Sequence, residues 1–196
     1  MNTRIFQNHY IRKELQLDPI WSFFTLNSDE EKGKEYKMLV PSCWETHPEL
    51  SSYKGKALYS KKVTFGGNIR LVFKGISHTA YVYLDKKQIA YHYNAYTEFS
   101  VVLKDIPYGE HLLEVKVDNS FHEESALHVS NDYYSYGGIT RPMLVEEIGD
   151  LFIKHIHFIP FMKDDKWYAS ICATITNLTN EEKNVNLQIK VGEDHV

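Results

Sequence analysis

Apolar and polar residues alternate with a period of two along most of this chain, and no other feature limits its fold more strongly. Between residues 112 and 120, Leu113, Val115 and Val117 alternate with Glu114 and Lys116. In a β-strand this alternation places the apolar side chains on one face, because successive side chains point to opposite sides. No segment of helical length carries the i, i+3, i+4, i+7 spacing of an amphipathic helix. The pattern therefore predicts an all-β protein, an antiparallel β-sandwich of the jelly-roll type.

Turn-forming residues divide this pattern into short predicted strands. The glycines of "GGN" predict a turn between a strand at 57–65 and a strand at 68–76, in which Ile69, Leu71 and Phe73 share one face. Further turns are predicted at Asp85–Gln88 and at "IPYGEH", residues 106–111. One short helix is expected near "ETHPELSSY". The remaining predicted strands are two within 79–93 and single strands at 98–103, 112–120, 142–149, 151–161, 167–178 and 184–191.

A domain boundary is predicted at Gly149-Asp150, between a jelly-roll domain at 1–149 and a second unit at 150–196. The second unit has three predicted strands in about half of the roughly 100 residues that an immunoglobulin-like sandwich needs. We therefore expect the N-terminal part of a truncated immunoglobulin-like sandwich. An incomplete sheet exposes unpaired backbone groups, so we expect its edge to pair with another copy of the chain or with the first domain.

The charge and the cysteine content argue against several classes of function. The net charge is −4 and the basic residues are scattered, so no nucleic-acid partner is expected. No apolar run approaches the roughly 18 residues of a membrane span, and the first residues resemble no secretory signal. Cys43 and Cys172 form neither a disulfide framework nor a CxxC metal motif. The expectation is a cytoplasmic protein with no membrane partner.

Four stretches, in order, resemble the signatures of glycoside hydrolase family 2, the β-galactosidase and β-glucuronidase family. They are "LQLDPIWSFF" (15–24), "VPSCWE" (40–45) with "YKGKALYSKKVTF" (53–65), "YVYLDKKQIAYHYNAYTEFSVVL" (81–103) and "NDYYSYGGITRP" (131–142). The resemblance implies a galactose-binding-like jelly-roll, then an immunoglobulin-like domain, then a (β/α)₈ barrel that carries the catalytic carboxylates. This chain contains no such barrel sequence, so we expect it to be catalytically silent by itself.

The resemblance implies that the parent protein hydrolyses terminal β-glycosides with retention, through a covalent glycosyl-enzyme, and without a cofactor. The chain departs from the family pattern at Pro19, Lys61-Lys62, Asp85-Lys86-Lys87 and Asn94-Ala95. These positions lie in predicted turns and on the surface, so they leave the fold expectation intact. They indicate a distant member, whose sugar is not carried over from the family.

Asp132 is the one candidate substrate-binding residue. The resemblance implies that it reaches into the barrel's active site and contacts the sugar in the complete enzyme. A carboxylate accepts two hydrogen bonds from neighbouring sugar hydroxyls, which suits that role. The alternative is an ion pair between Asp132 and Arg141 that holds the ends of the loop together.

The other residues of this motif have expected structural roles. Gly137 and Gly138 supply positive φ angles or close backbone approach. Tyr133, Tyr134 and Tyr136 are expected to pack at the end of the core or against a neighbouring domain, with sugar stacking as the alternative. Trp21 and Trp44 are expected to be core anchors.

No catalytic or metal site is predicted within the chain itself. The paired acids at 30–31, 123–124, 146–147, 164–165 and 181–182 are expected to be solvated. His155 and His157 have a spacing that metals use, but no third ligand follows, and the polar Asp164-Asp165 pair is expected to be a turn.

Two other functions remain open at the level of sequence. One is a stand-alone, lectin-like carbohydrate-binding module with no enzymatic role, against which the incomplete second unit argues. The other is a structural scaffold in an inactive family member.

Overall fold

The computed structural model describes residues 13–120, 134–191 and 194–195 and confirms the all-β prediction. Its helical content is two short 3₁₀ turns, Trp44–Thr46 and Pro48–Leu50, where a short helix was expected. None of the helices in these residues is long and apolar enough to cross a membrane. The strands are β1 Lys13–Leu15, β2 Ile20–Leu26, β3 Lys32–Leu39, β4 Lys56–Phe73, β5 Thr79–Leu84, β6 Lys87–Tyr93, β7 Phe99–Asp118, β8 Met143–Glu147, β9 Leu151–Lys163, β10 Lys166–Asn177, β11 Lys190–Val191 and β12 Asp194–His195.

The chain divides into two compact units, Met1–Ile148 and Gly149–Val196. The first unit holds an eight-stranded sheet in the order β1-β8-β4-β7-β5-β6, with β2 paired to β4 and β3 paired to β2. Its pairs of neighbouring strands are all antiparallel. The second unit holds a separate two-stranded sheet, β9-β10, and the small pair β11-β12.

Two strands of the first unit are longer than the sequence predicted. The "GGN" and "IPYGEH" turns are wrong, because β4 and β7 each continue through them and pair from Lys56↔Asp118 to Phe73↔Phe99. Gly67 instead provides an irregularity in this pairing, with a φ of +80° that glycine adopts without strain. A Cβ atom on Gly66 would lie 2.5 Å from the Tyr108 Cα atom, so this glycine permits close approach of the two strands.

The irregularity separates two halves of β4 with different neighbours. In the first half, Lys56 to Ser60 lie between β2 and β7, and in the second half Ile69 to Phe73 lie between β7 and β8. Side chains of both halves belong to one hydrophobic cluster. The long strands thus carry the sheet from one layer of the sandwich into the other.

The alternation in β7 is confirmed, since Leu113, Val115 and Val117 are fully buried. Trp21 and Trp44 are also buried in the cluster, as predicted for core anchors. Phe23 contacts the Trp44 ring, and the centroids of the two rings are 5.8 Å apart.

The polar turn between β5 and β6 is confirmed and is two residues long. Asp85 and Lys86 have φ angles of 49° and 69°, the conformation of a type I′ hairpin turn. Asp85 uses its side chain to fasten this turn to β7. Its Oδ1 accepts a hydrogen bond from the Leu112 amide at 2.8 Å, and its Oδ2 lies 2.7 Å from His111 Nδ1.

In the second unit, β9 and β10 form a long hairpin around Asp164-Asp165, which confirms the predicted turn. The strand predicted at 184–191 is wrong for most of its length, because only Lys190–Val191 is a strand. Residues 184–189 pair with none of the described strands, and a strand needs such a neighbour for its backbone hydrogen bonds. Several large apolar side chains of the hairpin are exposed: Ile156, Phe158, Ile159, Phe161, Met162, Trp167 and Tyr168.

Candidate functional site

The candidate site lies at the end of β7 and at the stretch from Tyr134 to Gly138. β7 ends at Asp118, and the described chain resumes at Tyr134. Asp132 and Tyr133 lie outside the described residues, so the role of Asp132 stays a prediction. The residues on either side, Asn119 and the stretch from Tyr134 to Gly138, are described and form one polar cluster with Glu45 and Lys54.

Gly137 and Gly138 confirm the predicted need for glycine. A Cβ on Gly137 would lie 2.1 Å from Trp44 Cζ2 and 2.5 Å from Asn119 Nδ2, closer than any side chain tolerates. Gly138 has a φ of +125°, which favours glycine, and pairs with Ser77 through two backbone hydrogen bonds of 2.9 and 3.1 Å. The backbone is therefore fixed tightly against the buried Trp44 ring.

Glu45 is the acidic residue that holds this cluster together. The Gly137 amide donates to both carboxylate oxygens, at 3.0 and 3.1 Å, and Asn119 Nδ2 donates to Oε1 at 3.5 Å. The Lys54 ammonium lies 3.6 Å from the same oxygen, and only 4% of the Glu45 side chain is exposed. Burial raises the pKa of this carboxyl, while the Gly137 amide and the Lys54 charge act in the opposite direction.

Lys54 contacts the same region from the other side. Its ammonium donates to the Ser135 carbonyl and lies 4.1 Å from the centre of the Tyr134 ring, a cation–π contact. The Tyr134 hydroxyl donates to the Ser51 carbonyl at 2.9 Å. Ser135 itself is buried, and its hydroxyl contacts no hydrogen-bonding group of the described residues.

Tyr134 and Tyr136 are only partly packed. Their rings are 4.7 Å apart and tilted, and 47% and 52% of the two residues are exposed. Neither residue therefore fills the core of the sandwich. The two rings present an aromatic surface beside the polar cluster, and such surfaces suit sugar contact.

Arg141 is exposed and binds within its own unit. Its Nη1 donates to the Tyr96 carbonyl at 3.3 Å, and its amide donates to the Gly75 carbonyl at 3.2 Å. The alternative ion pair between Arg141 and Asp132 stays a prediction, because Asp132 lies outside the described residues.

One of the five acidic pairs differs from its predicted environment. Glu146 is buried and lies 3.3 Å from Arg70 Nη1, so its predicted exposure is wrong. The reason is that Glu146 and Glu147 alternate on β8, which turns the first side chain towards a buried arginine. Glu123-Glu124 lies outside the described residues, and Glu30-Glu31, Asp164-Asp165 and Glu181-Glu182 are exposed.

The histidines offer no metal site in the parts of the chain that the structure describes, where no group of three potential ligands occurs. His155 and His157 share one face of β9, as their spacing predicted, with ring centroids 6.2 Å apart. His155 Nε2 contacts the Thr174 hydroxyl at 3.1 Å. Near the site, His78 Nδ1 lies 2.8 Å from the Ser77 hydroxyl, and burial together with the Lys54 charge lowers the pKa of His78.

Sequence reasoning missed Glu45 and Lys54 as site residues. Both occur within quoted signatures, in "VPSCWE" and in "YKGK", but each reads there as an ordinary surface charge. One signal could have identified Glu45 as a site residue. It directly follows Trp44, a buried tryptophan, in a short 3₁₀ turn. The cluster can donate and accept hydrogen bonds and can stack against a ring. The Glu45 carboxylate already accepts hydrogen bonds from the Gly137 backbone amide and the Asn119 side-chain amide.

Comparisons with known proteins agree with this architecture. The family model described as glycosyl hydrolase 2 galactose-binding domain-like matches residues 45–158. A crystal structure of a β-galacturonidase from Eisenbergiella tayi bound to galacturonate is 49% identical, with a TM-score of 0.83 over 90% of this chain and 32% of that chain.

Two further relatives are more distant. A β-galactosidase of Thermoanaerobacter pseudethanolicus is 29% identical over 166 residues, which cover 82% of this chain and 20% of that protein. A β-glucuronidase of Bacteroides fragilis is 27% identical over 143 residues, which cover 68% of this chain and 20% of that protein. The chain thus spans about a fifth of the length of these relatives.

Proposed function

This chain belongs to glycoside hydrolase family 2, and on that premise we propose that it is the N-terminal sugar-binding portion of a larger retaining hydrolase of terminal β-glycosides. It matches the N-terminal part of enzymes that are about three to four times as long, and the match covers from 32% down to 20% of their length. In this proposal the catalytic carboxylates belong to the barrel of the complete protein, and this chain forms one wall of the pocket.

The proposed substrate is a terminal β-linked galacturonide. The observation that carries this step is the 49% identity over 90% of the chain with a β-galacturonidase bound to galacturonate. The β-galactosidase of Thermoanaerobacter pseudethanolicus and the β-glucuronidase of Bacteroides fragilis are 29% and 27% identical. Galacturonides therefore rank before galactosides and glucuronides as test substrates.

Asp132 has the proposed role of binding the terminal sugar. An ionised carboxylate forms strong hydrogen bonds with two hydroxyl groups, and such bonds strengthen as charge develops on the ring in the transition state. The exposed rings of Tyr134 and Tyr136, two and four residues further along the chain, provide a surface for the apolar face of a sugar.

Steady-state kinetics of the complete polypeptide test this proposal. We expect hydrolysis of 4-nitrophenyl β-D-galacturonide with a higher kcat/KM than for the corresponding galactoside and glucuronide. Asp132→Asn should lower kcat/KM by about 10²-fold or more, because a charged hydrogen bond to the transition state is lost. Asp105→Asn is the matched control, since 77% of the Asp105 side chain is exposed.

An inactive complete polypeptide would contradict the enzymatic proposal. Unchanged kinetics in Asp132→Asn would instead remove Asp132 from the site and favour the structural alternative. Preference for the galactoside or the glucuronide would keep the family assignment and overturn the substrate.

The exposed pair Tyr134 and Tyr136 favours a second candidate, a self-contained carbohydrate-binding module. Such a module would bind an oligosaccharide by itself, whereas one wall of a composite pocket would not. The cytoplasmic location stays a prediction that cell fractionation would test.

A further inference from the structure

Tyr134 is held by three contacts although 47% of it is exposed. Its hydroxyl donates to the Ser51 carbonyl at 2.9 Å, and the Lys54 ammonium lies 4.1 Å from the centre of its ring. The Tyr136 ring packs beside it, with the two centroids 4.7 Å apart. Exposed side chains usually keep several rotamers, because ordering them costs conformational entropy. Here a hydrogen bond, a cation and a neighbouring ring offset that cost.

Lys54 is itself fixed by acceptors close to the two tyrosines. Its ammonium donates to the Ser135 carbonyl, which separates the tyrosines in the chain, and lies 3.6 Å from Glu45 Oε1. The Glu45 carboxylate in turn accepts from the Gly137 amide, at 3.0 and 3.1 Å. Because only 26% of the Lys54 side chain is exposed, the cation has a defined position beside the Tyr134 ring.

Stability of the fold explains this arrangement poorly. The hydrophobic cluster of the sandwich contains neither Tyr134 nor Tyr136. Apolar replacements of a buried ion pair, such as the one between Glu45 and Lys54, often leave a protein as stable or more stable. Binding explains contacts that order an exposed aromatic surface, because a preordered surface loses less conformational freedom when its ligand arrives.

A sugar ring is the ligand that this surface suits. One face of a pyranose ring presents C–H groups, which pack against the electron-rich faces of aromatic rings. Tyr134 and Tyr136 offer such faces, since about half of each residue is exposed. Their hydroxyl groups can also accept hydrogen bonds from sugar hydroxyls at the rim of the surface.

We propose that Tyr134 and Tyr136 form a stacking subsite for a sugar ring of the substrate, and that Lys54 is the positioning residue that fixes its geometry. This inference rests on the proposed function, because it assigns the subsite to the complete glycoside hydrolase. Stacking acts on the ground state and on the transition state alike. The subsite should therefore lower KM and leave kcat nearly unchanged.

Steady-state kinetics of the complete polypeptide test the subsite, with 4-nitrophenyl β-D-galacturonide as substrate. We expect Tyr136→Ala to raise KM by about tenfold and to change kcat by less than about twofold, because a stacking contact is lost. Tyr93→Ala is the matched control and should leave both constants unchanged. Tyr93 is 47% exposed, compared with 52% for Tyr136.

A second comparison tests the positioning role of Lys54. Lys54→Met is combined with Glu45→Gln, so that no buried charge is left unpaired. This variant loses the cation that holds the Tyr134 ring, so KM should rise by about fivefold. Adding Tyr134→Ala should raise KM no further than Tyr134→Ala does alone, since Lys54 acts through that ring. Lys34→Met with Glu49→Gln is the control, because Lys34 pairs with Glu49 and lies over another tyrosine ring.

The outcomes separate this inference from the proposed function. If the wild type is active, an unchanged KM in Tyr136→Ala overturns the subsite. A lowered kcat with unchanged KM also overturns it, and favours packing of the tyrosines against another domain. Multiplying effects of the Lys54→Met and Tyr134→Ala variants overturn the positioning role, because they show an action of Lys54 that is independent of the ring.

An inactive wild type contradicts the proposed function, and calorimetry of the complete polypeptide with D-galacturonate then decides the subsite. Binding that Tyr136→Ala weakens by about tenfold, and that Tyr93→Ala leaves unchanged, supports the subsite without catalysis. Absent binding, or binding that is equal in Tyr136→Ala and the wild type, overturns it.

Discussion

The sandwich and the β9-β10 hairpin share the same kind of turn but differ in how far their apolar side chains are buried. Both contain a two-residue turn with positive φ angles, Asp85-Lys86 in one and Asp164-Asp165 in the other. Phe23 in the sandwich is fully buried, whereas Phe158 in the hairpin is half exposed. In these two regions alternation and turn chemistry indicate where the strands form, and burial depends on a second layer that covers them.

In the sandwich that second layer comes from the same strands. β4 and β7 continue past Gly67, so one hydrophobic cluster contains residues from both halves of β4. In the hairpin the described residues supply two paired strands only. Isolated two-stranded hairpins are marginally stable in water, so the two units should differ in stability.

The largest expected difference comes from deleting a phenylalanine side chain in each unit. Phe23→Ala should lower the free energy of unfolding of the sandwich by about 3–5 kcal/mol, because it leaves a cavity in the cluster. Phe158→Ala should change it by less than about 0.5 kcal/mol. Urea titrations followed by fluorescence measure this, in a Trp167→Phe background so that Trp21 and Trp44 report on the sandwich. Equal losses in both variants would show that the two units unfold together.

A smaller loss of stability is expected from adding a methyl group at Gly137 in the sandwich. Gly137→Ala should destabilise it by about 1–3 kcal/mol, since the new methyl group would overlap the Trp44 ring. Gly109→Ala is the matched control, because a Cβ there has no neighbour within 4 Å. Its effect should stay within about 0.5 kcal/mol. Equal stability of the two variants would show that the contact with Trp44 relaxes at little cost.

The fold was predictable from the sequence where its determinants are local. The alternation in 112–120 and the polar turn at Asp85-Lys86 depend on neighbouring residues, and both are confirmed. "GGN" was read as a turn because glycine favours turns, and only the pairing of β4 with β7 decides that it forms an irregularity within a strand. The predicted strand at 184–191 has no described partner outside its last two residues, so its alternation alone was not sufficient.

The site was less predictable, because its contacts link distant parts of the chain. Gly137 and Gly138 were identified from residue type alone, and their roles are confirmed. Glu45 was missed because its partners lie 92 and 74 residues away, at Gly137 and Asn119. Glu146 was predicted to be solvated because nothing in its neighbours reveals the buried Arg70 across the sheet.

The exposed apolar side chains of the β9-β10 hairpin predict that the chain associates with itself. Burying an exposed aromatic side chain contributes about 1.5–3 kcal/mol when complete, so partial burial in a dimer should be worth about 1 kcal/mol per residue. Phe158→Lys should therefore weaken association by roughly tenfold in sedimentation velocity. Tyr91→Lys is the control, since Tyr91 is an aromatic residue of the sandwich that is 54% exposed, compared with 50% for Phe158. A monomeric wild type at high concentration would contradict the prediction.

The smallest effect concerns the pair of His111 and Asp85 that fastens the sandwich turn. Asp85 raises the pKa of His111, and His111 together with the Leu112 amide lowers the pKa of Asp85. The stabilisation from His111 is lost as pH rises through its raised pKa, and that from Asp85 is lost as pH falls through its lowered pKa. Because 53% of the Asp85 side chain is exposed, the pair contributes about 1 kcal/mol or less.

Chemical denaturation at several pH values measures this contribution. The stability difference between wild type and Asp85→Asn should be largest between about pH 4 and pH 6.5 and should shrink on both sides. Asp164→Asn, in the corresponding turn of the hairpin, should show no such pH profile for unfolding of the sandwich. A constant difference from pH 4 to pH 9 would exclude the charge of the pair as its source.

We propose that this chain holds part of a sugar site whose other part lies in the catalytic barrel of the complete protein. Nuclear magnetic resonance titration of the isotope-labelled chain with methyl β-D-galacturonide tests it most directly, through the amides of Asn119, Ser135 and Gly137. A partial site predicts no saturable shift up to tens of millimolar sugar, because too few contacts offset the loss of freedom on binding. Saturable shifts at these amides with a Kd in the low millimolar range or below would contradict the claim and establish a self-contained binding module.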